Sequence, residues 1–234
     1  MLTDVIALAT AAMLGSLHAL EVDHMLAVTT FVSRRPTASA AVRFGFKWGL
    51  GHSVAVLAAG GLLLATGVRW PARYDALGEA LVGLMLMGLG TWALVSARKL
   101  HLHSHEEHGG HAHLHVHGGG VPHGHSHGPG VATHGPHEHG GVTLVGLLHG
   151  LAGTTGVLAL LPVTMMDRVG LGIGYLVCFG VGVTLAMAAV ALIAAGVMRR
   201  ATAGSLVAGR RLVRLVGISG VAVGAWWLVA AAGM

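Results

Sequence analysis

The sequence predicts an all-α integral membrane protein, with six transmembrane helices built as two inverted three-helix repeats joined by a His-rich disordered cytoplasmic loop. Three observations predict it. First, of 234 residues 54% are hydrophobic and only 10% charged, with a mean hydropathy of +0.73, whereas a soluble domain carries roughly 25% charged residues. Second, six apolar stretches each approach the ~20 residues that cross a bilayer. Third, the two halves of the chain resemble one another in sequence. The 38 glycines suit helices that pack backbone to backbone in lipid.

The apolar stretches run from Val5 to Val32, Ala40 to Val68, Tyr74 to Ala97, Val142 to Val163, Val169 to Val197 and Leu212 to Ala232. The first has no basic leader and continues past acidic residues, so it reads as a retained helix and not a cleaved signal peptide. The chain therefore divides into a first membrane repeat (1–97), a connecting loop (98–141) and a second membrane repeat (142–234). The net charge of +5 does not point to nucleic acid, because the basic residues lie between apolar runs and form no basic aromatic surface. They carry a topology signal instead. Arg34, Arg35, Arg43, Lys47, Arg98, Lys99, Arg199, Arg200, Arg210, Arg211 and Arg214 fall after spans one, three and five, against Arg69, Arg73 and Arg168 on the opposite side. Setting aside Arg43 and Lys47, at the edge of the second span, leaves nine against three. By the positive-inside rule both termini face outward and the long loop faces the cytoplasm of a plasma (inner) membrane.

The repeat is visible residue by residue. A shift of 131 aligns Gly15, His18 and Leu20 with Gly146, His149 and Leu151, and Gly49, Gly51, Ser53 and Ala55 with Gly180, Gly182, Thr184 and Ala186. A shift of 134 aligns Gly83, Gly90 and Trp92 with Gly217, Gly224 and Trp226. Three spans per half give the halves opposite topology, an arrangement that places a binding site near the midplane between them.

Between His101 and His139, fourteen of 39 residues are His, nine Gly and three Pro. Such a segment buries no core, so disorder is expected. Its repeated His-x-His pairs suit many weak, exchangeable transition-metal sites, which would act as a buffer. The lone Cys178 excludes a disulfide framework or a cysteine metal cage.

The other four histidines lie within apolar spans. The first span carries His18, Glu21, Asp23 and His24 within seven residues, each costing roughly 2.5–3.5 kcal/mol at a helix centre if charged and unpaired. On a straight helix His24 falls about 120° and Asp23 about 140° round from His18. The helix must bend or break, or other helices must complete the site. The second span supplies His52 beside Gly49 and Gly51, with Ser53 expected to orient its imidazole. The fourth supplies His149, the repeat mate of His18. His18, Asp23, His24, His52 and His149 are thus the candidate metal ligands, with Glu21 and Ser53 as supporting groups.

The pattern His18-x4-Asp23-His24, followed one span later by Leu50-Gly51-His52-Ser53, resembles the nickel/cobalt transporter family, in particular its compact urease-associated or exporter-type branch. The resemblance implies selective movement of Ni²⁺ or Co²⁺ as substrate, with no resident cofactor and with urease or hydrogenase metallochaperones as partners. Imidazoles with a carboxylate suit these ions better than Mg²⁺ or Ca²⁺. No nucleotide-binding loop is visible. The alternative is a metal-dependent intramembrane hydrolase, with a three-ligand Zn²⁺ activating water, which leaves the repeat and the histidine loop unexplained. A bis-histidine haem protein is a third and weaker reading.

Overall fold

Long runs of Ala, Leu, Val and Gly with few charges satisfy their backbone groups in lipid only as helices, and helices dominate the chain. The computed structural model describes residues 1–33, 36–66, 73–98, 100–105, 111–116, 138–152, 162–163, 166 and 168–233. Seven helices lie among them: α1 (Leu2–His18), α2 (Val22–Val32), α3 (Ala38–Thr66), α4 (Arg73–Arg98), α5 (Glu138–Ala152), α6 (Val169–Gly204) and α7 (Leu206–Ala232). Arg34, Arg35, Arg69, Lys99 and most of the histidine-rich segment fall outside the described residues.

Three helices are long and apolar enough to cross a membrane, over Asp75–Arg98, Val169–Gly204 and Val207–Ala232. A fourth candidate is the pair α1 and α2, which meet at an angle of 60°. The chain is accordingly a multi-pass membrane protein. Its outer surface fits lipid, with Ile6 and Met13 on α1, Leu185 and Ile193 on α6, and Trp226 and Val229 on α7 all exposed. Contiguous apolar surface of this kind is not sustained in water.

The histidine-rich segment departs from expectation in part. Leu100–His105 (β1) pairs antiparallel with His111–Val116 (β2), with His101 opposite His115, His103 opposite His113 and His105 opposite His111. Disorder was expected across this stretch on composition, but His-x-His alternation with Leu, Ala and Val between is also the two-residue period of a strand.

The interior is assembled across the halves of the sequence. α1 packs on α6 and α5 packs on α3, while α3 and α6 also pack on each other, and α4 pairs with α7. Glycine allows these approaches. A methyl group at Gly15 would overlap the Phe179 carbonyl, and one at Gly182 the Ala12 carbonyl. Gly146 meets the Trp48 carbonyl in the same way, and Gly51 that of Thr143. Adding 131 to Gly15, Trp48, Gly51 and Ala12 gives Gly146, Phe179, Gly182 and Thr143, so each contact has a counterpart with the roles of the halves exchanged. Under the shift of 134, a methyl group at Gly83 would lie 2.7 Å from the Gly224 carbonyl, matching one at Gly217, which would lie 2.9 Å from the Gly90 carbonyl. Trp48, Phe179, Met187 and Leu86 fill the space these backbones leave.

Candidate metal centre

The centre forms where the first apolar stretch breaks. α1 ends at His18 and α2 begins at Val22, with Glu21 extended between them (φ −63, ψ 150). Three-residue turns close α1, from Leu20 N–H to the Leu17 carbonyl and from Glu21 N–H to the His18 carbonyl, each 3.0 Å. The break resolves the angular conflict in the sequence by turning α2 so that Asp23 and His24 come back beside His18. It also leaves Asp23 in the first turn of α2, where the helix dipole favours an anion, while the carbonyl end of α1 favours a cation.

All five candidate ligands are brought together and all are buried, none more than 5% exposed. They form two groups that share His24: His18, His24 and His52, and Asp23, His24 and His149, with one ligand atom per residue within 4.8 Å of the others in each group. The His24 ring centre lies 4.6 Å from that of His18, 5.1 Å from His52 and 4.2 Å from His149. Asp23 bridges two of them. Its Oδ1 is 3.0 Å from His24 Nδ1 and its Oδ2 is 3.0 Å from His149 Nε2. His149, which had only its repeat position to recommend it, is among the most deeply buried.

Glu21 sits at the rim, with Oε1 3.0 Å from His18 Nδ1 and about a third of its side chain exposed (32%). Ser53 is placed differently from expectation. Its hydroxyl lies away from His52, 2.7 Å from the Gly49 carbonyl of its own helix, 2.9 Å from the Gly180 carbonyl and 3.1 Å from the Thr184 hydroxyl. Consecutive residues on a helix point about 100° apart, so Ser53 faces α6 while His52 faces the centre. Ser53 and Thr184 are themselves repeat mates, and they meet where α3 crosses α6.

Two wall residues escaped the sequence reading. The Phe179 ring centre is 5.7 Å from His18 and the Trp48 ring centre 5.8 Å from His149. A signal was present, since Phe179 is Trp48 shifted by 131 just as His149 is His18 shifted by 131. Aromatic rings on both sides exclude water and lower the local dielectric, which strengthens electrostatics within.

The chain is similar to a urease accessory protein. Over 179 residues, covering 74% of this chain and 69% of the relative, it is 28% identical to "Urease accessory protein UreH" of Bacillus sp. (strain TB-90). No family model matches the chain, and no solved structure matches it.

Chemically, four imidazoles and one carboxylate, shielded from water and within contact of one another, can hold a borderline divalent transition-metal ion. Two carboxylates, Asp23 and Glu21, are present to offset its charge.

Proposed function

We propose that the chain is a nickel/cobalt permease of the plasma (inner) membrane, a member of the nickel/cobalt transporter family that moves Ni²⁺ or Co²⁺ through the His18, Asp23, His24, His52 and His149 centre. The observation that carries this reading is the buried cluster of four imidazoles and a carboxylate at a helix break inside a multi-pass membrane protein. Transporters commonly set their ion sites at such breaks, where helix ends face the ion. Similarity to a urease accessory protein fits the same reading, because the urease-associated branch is where the sequence motifs point.

The architecture we propose is six spans in two inverted three-helix repeats, with the site between them. The exchanged glycine contacts of the two halves support it, as does the meeting of Ser53 with Thr184. Both termini lie outside the cytoplasm, and the histidine-rich loop lies within it as a metal buffer, where urease or hydrogenase metallochaperones can draw on it. A hydrolase is disfavoured because both oxygens of Asp23 are engaged by imidazoles and Glu21 is engaged by His18, so neither of these two carboxylates stands ready to activate water.

Cells expressing the chain should hold a different steady-state level of radioactive nickel or cobalt from cells without it. A reporter fused after Met234 should read as extracytoplasmic and one inserted at Gly119 as cytoplasmic. Unchanged metal content in cells with verified membrane expression contradicts the permease. Two reporters on the same side contradict the six-span architecture.

A further inference from the structure

Two ligands of one ion can lie no further apart than twice the ion-to-ligand distance. For nitrogen or oxygen ligands at about 2.0–2.1 Å that limit is about 4.2 Å, and ligands at about 90–110° to one another sit about 3 Å apart. The five buried groups of the centre approach this limit as two sets, not as one. The ligand atoms of His18, His24 and His52 lie within 4.8 Å of one another, as do those of Asp23, His24 and His149, and among the described residues no larger set does. Within each set one pair already has the spacing of neighbouring ligands: His18 Nε2 and His52 Nε2 are 3.2 Å apart, and Asp23 Oδ2 and His149 Nε2 are 3.0 Å apart.

The repeat separates the same two sets independently. His18 belongs to one set and its repeat mate His149 to the other. The ring against His18 is Phe179 and the ring against His149 is Trp48, with centres 5.7 Å and 5.8 Å apart, and Phe179 is the repeat mate of Trp48. Each set thus joins a histidine of one half to an aromatic wall of the other, with the halves exchanged, as at the glycine crossings. The sets also differ in depth. His18 touches Glu21, whose side chain is 32% exposed, whereas the side chains of Asp23 and His149 are 5% and 0% exposed.

Resting on the proposed cation site, we infer that the centre offers one ion two successive stations that share His24: a rim station of His18, His24 and His52, and a deep station of Asp23, His24 and His149. Two dications around one shared imidazole would repel strongly in so dry a place, so the stations are filled in turn and not together. His24 keeps hold of the ion while His18 and His52 are exchanged for Asp23 and His149, and the ion is never released into apolar surroundings. Movement through a membrane needs such shared, exchangeable binding, because an ion held by one complete cage would not leave it. The rim station is all imidazole, which admits borderline transition-metal ions and passes over Mg²⁺ and Ca²⁺. The deep station adds a carboxylate, whose charge draws the ion inward.

The test uses the full-length chain with the fourteen loop histidines replaced by asparagine as parent, loaded with one equivalent of Ni²⁺ or Co²⁺. H18A and H52A each disable the rim station, and H149A and D23A the deep one, so a variant that fails to fold leaves another for the same station. X-ray absorption should find two imidazoles and a carboxylate in H18A and H52A, but three imidazoles and no carboxylate in H149A and D23A. Because one ion occupies either station, the two binding constants add, and the stronger station holds at least half of the total. At least one of the two pairs should therefore bind within about twofold of the parent. Metal movement, which needs both stations, should fall in all four variants to the level of cells without the chain. An affinity lower by about 100-fold or more in all four, or a carboxylate together with three imidazoles in both H52A and H149A, means one site built from all five residues. Either result overturns the inference while the cation site stands, and so does parental transport by any of the four. Failure of the parent to bind either ion removes the cation site and the inference together.

Discussion

Replacing His24 by alanine should abolish metal movement while the protein still inserts and folds. His24 is shared by both ligand groups, and its ring is the one nearest to those of His18 and His149. Removing it takes away the imidazole common to both groups, releases one oxygen of Asp23 from its hydrogen bond, and opens space in the middle of the cluster. Loss of a partner that merely orients a ligand typically costs 10–100-fold in metal affinity, so loss of a direct ligand should cost at least about 100-fold. Insertion should not suffer, because deleting a polar side chain from a membrane helix lowers the cost of placing it in lipid. The measurement is radioactive nickel content of cells matched for membrane expression of H24A and the parent. Parental transport by H24A would remove His24 from the pathway.

The second large effect concerns the helix crossings. Alanine at Gly15 or Gly182 places a methyl group on the carbonyl of Phe179 or Ala12. Backbone cannot rotate away as a side chain tip can, so α1 and α6 must separate along their contact. Overpacking of this kind costs about 1–3 kcal/mol, and the paired crossing of α3 and α5 gives the same expectation for Gly51 and Gly146. Separation at Gly15 also shifts Phe179, the ring beside His18, so metal affinity should fall along with stability. Gly61, Gly88 and Gly196 are controls inside helices, with nothing among the described residues within 4 Å of an added methyl group. Alanine there should be neutral or gain up to about 1 kcal/mol of helix propensity. Thermal melting of detergent-solubilised variants reads both sets. Equal melting of G15A and G61A would mean that the close crossing is not a stabilising feature.

Much of this centre was legible in the sequence because charged and imidazole groups in lipid are costly enough to need a reason. His18, Asp23, His24, His52 and His149 could each be named from that cost and from the repeat. The angular mismatch of about 120–140° on a straight helix meant that the helix had to bend or break, or that other helices had to complete the site. The structure shows both, with the 60° bend between α1 and α2 and His52 and His149 arriving from other helices. What could not be read was the direction of each side chain from a helix whose neighbours were unknown. Ser53 follows His52 in sequence yet its hydroxyl reaches α6, and nothing in the sequence showed that Asp23 would lie between two imidazoles. The Trp48 and Phe179 walls were hidden by their ordinariness, since an aromatic residue in an apolar run raises no question until its repeat mate is aligned. The paired strands Leu100–His105 and His111–Val116 were obscured because composition, dominated by His and Gly, outweighed a two-residue alternation.

Direct binding to purified protein tests the central claim most plainly. In the full-length chain with the fourteen loop histidines replaced by asparagine, titration with Ni²⁺ or Co²⁺ should show one ion bound per chain, unaffected by excess Mg²⁺ or Ca²⁺ and lost in H24A. No saturable binding, or binding that survives in H24A, would contradict a cation site at the break between α1 and α2.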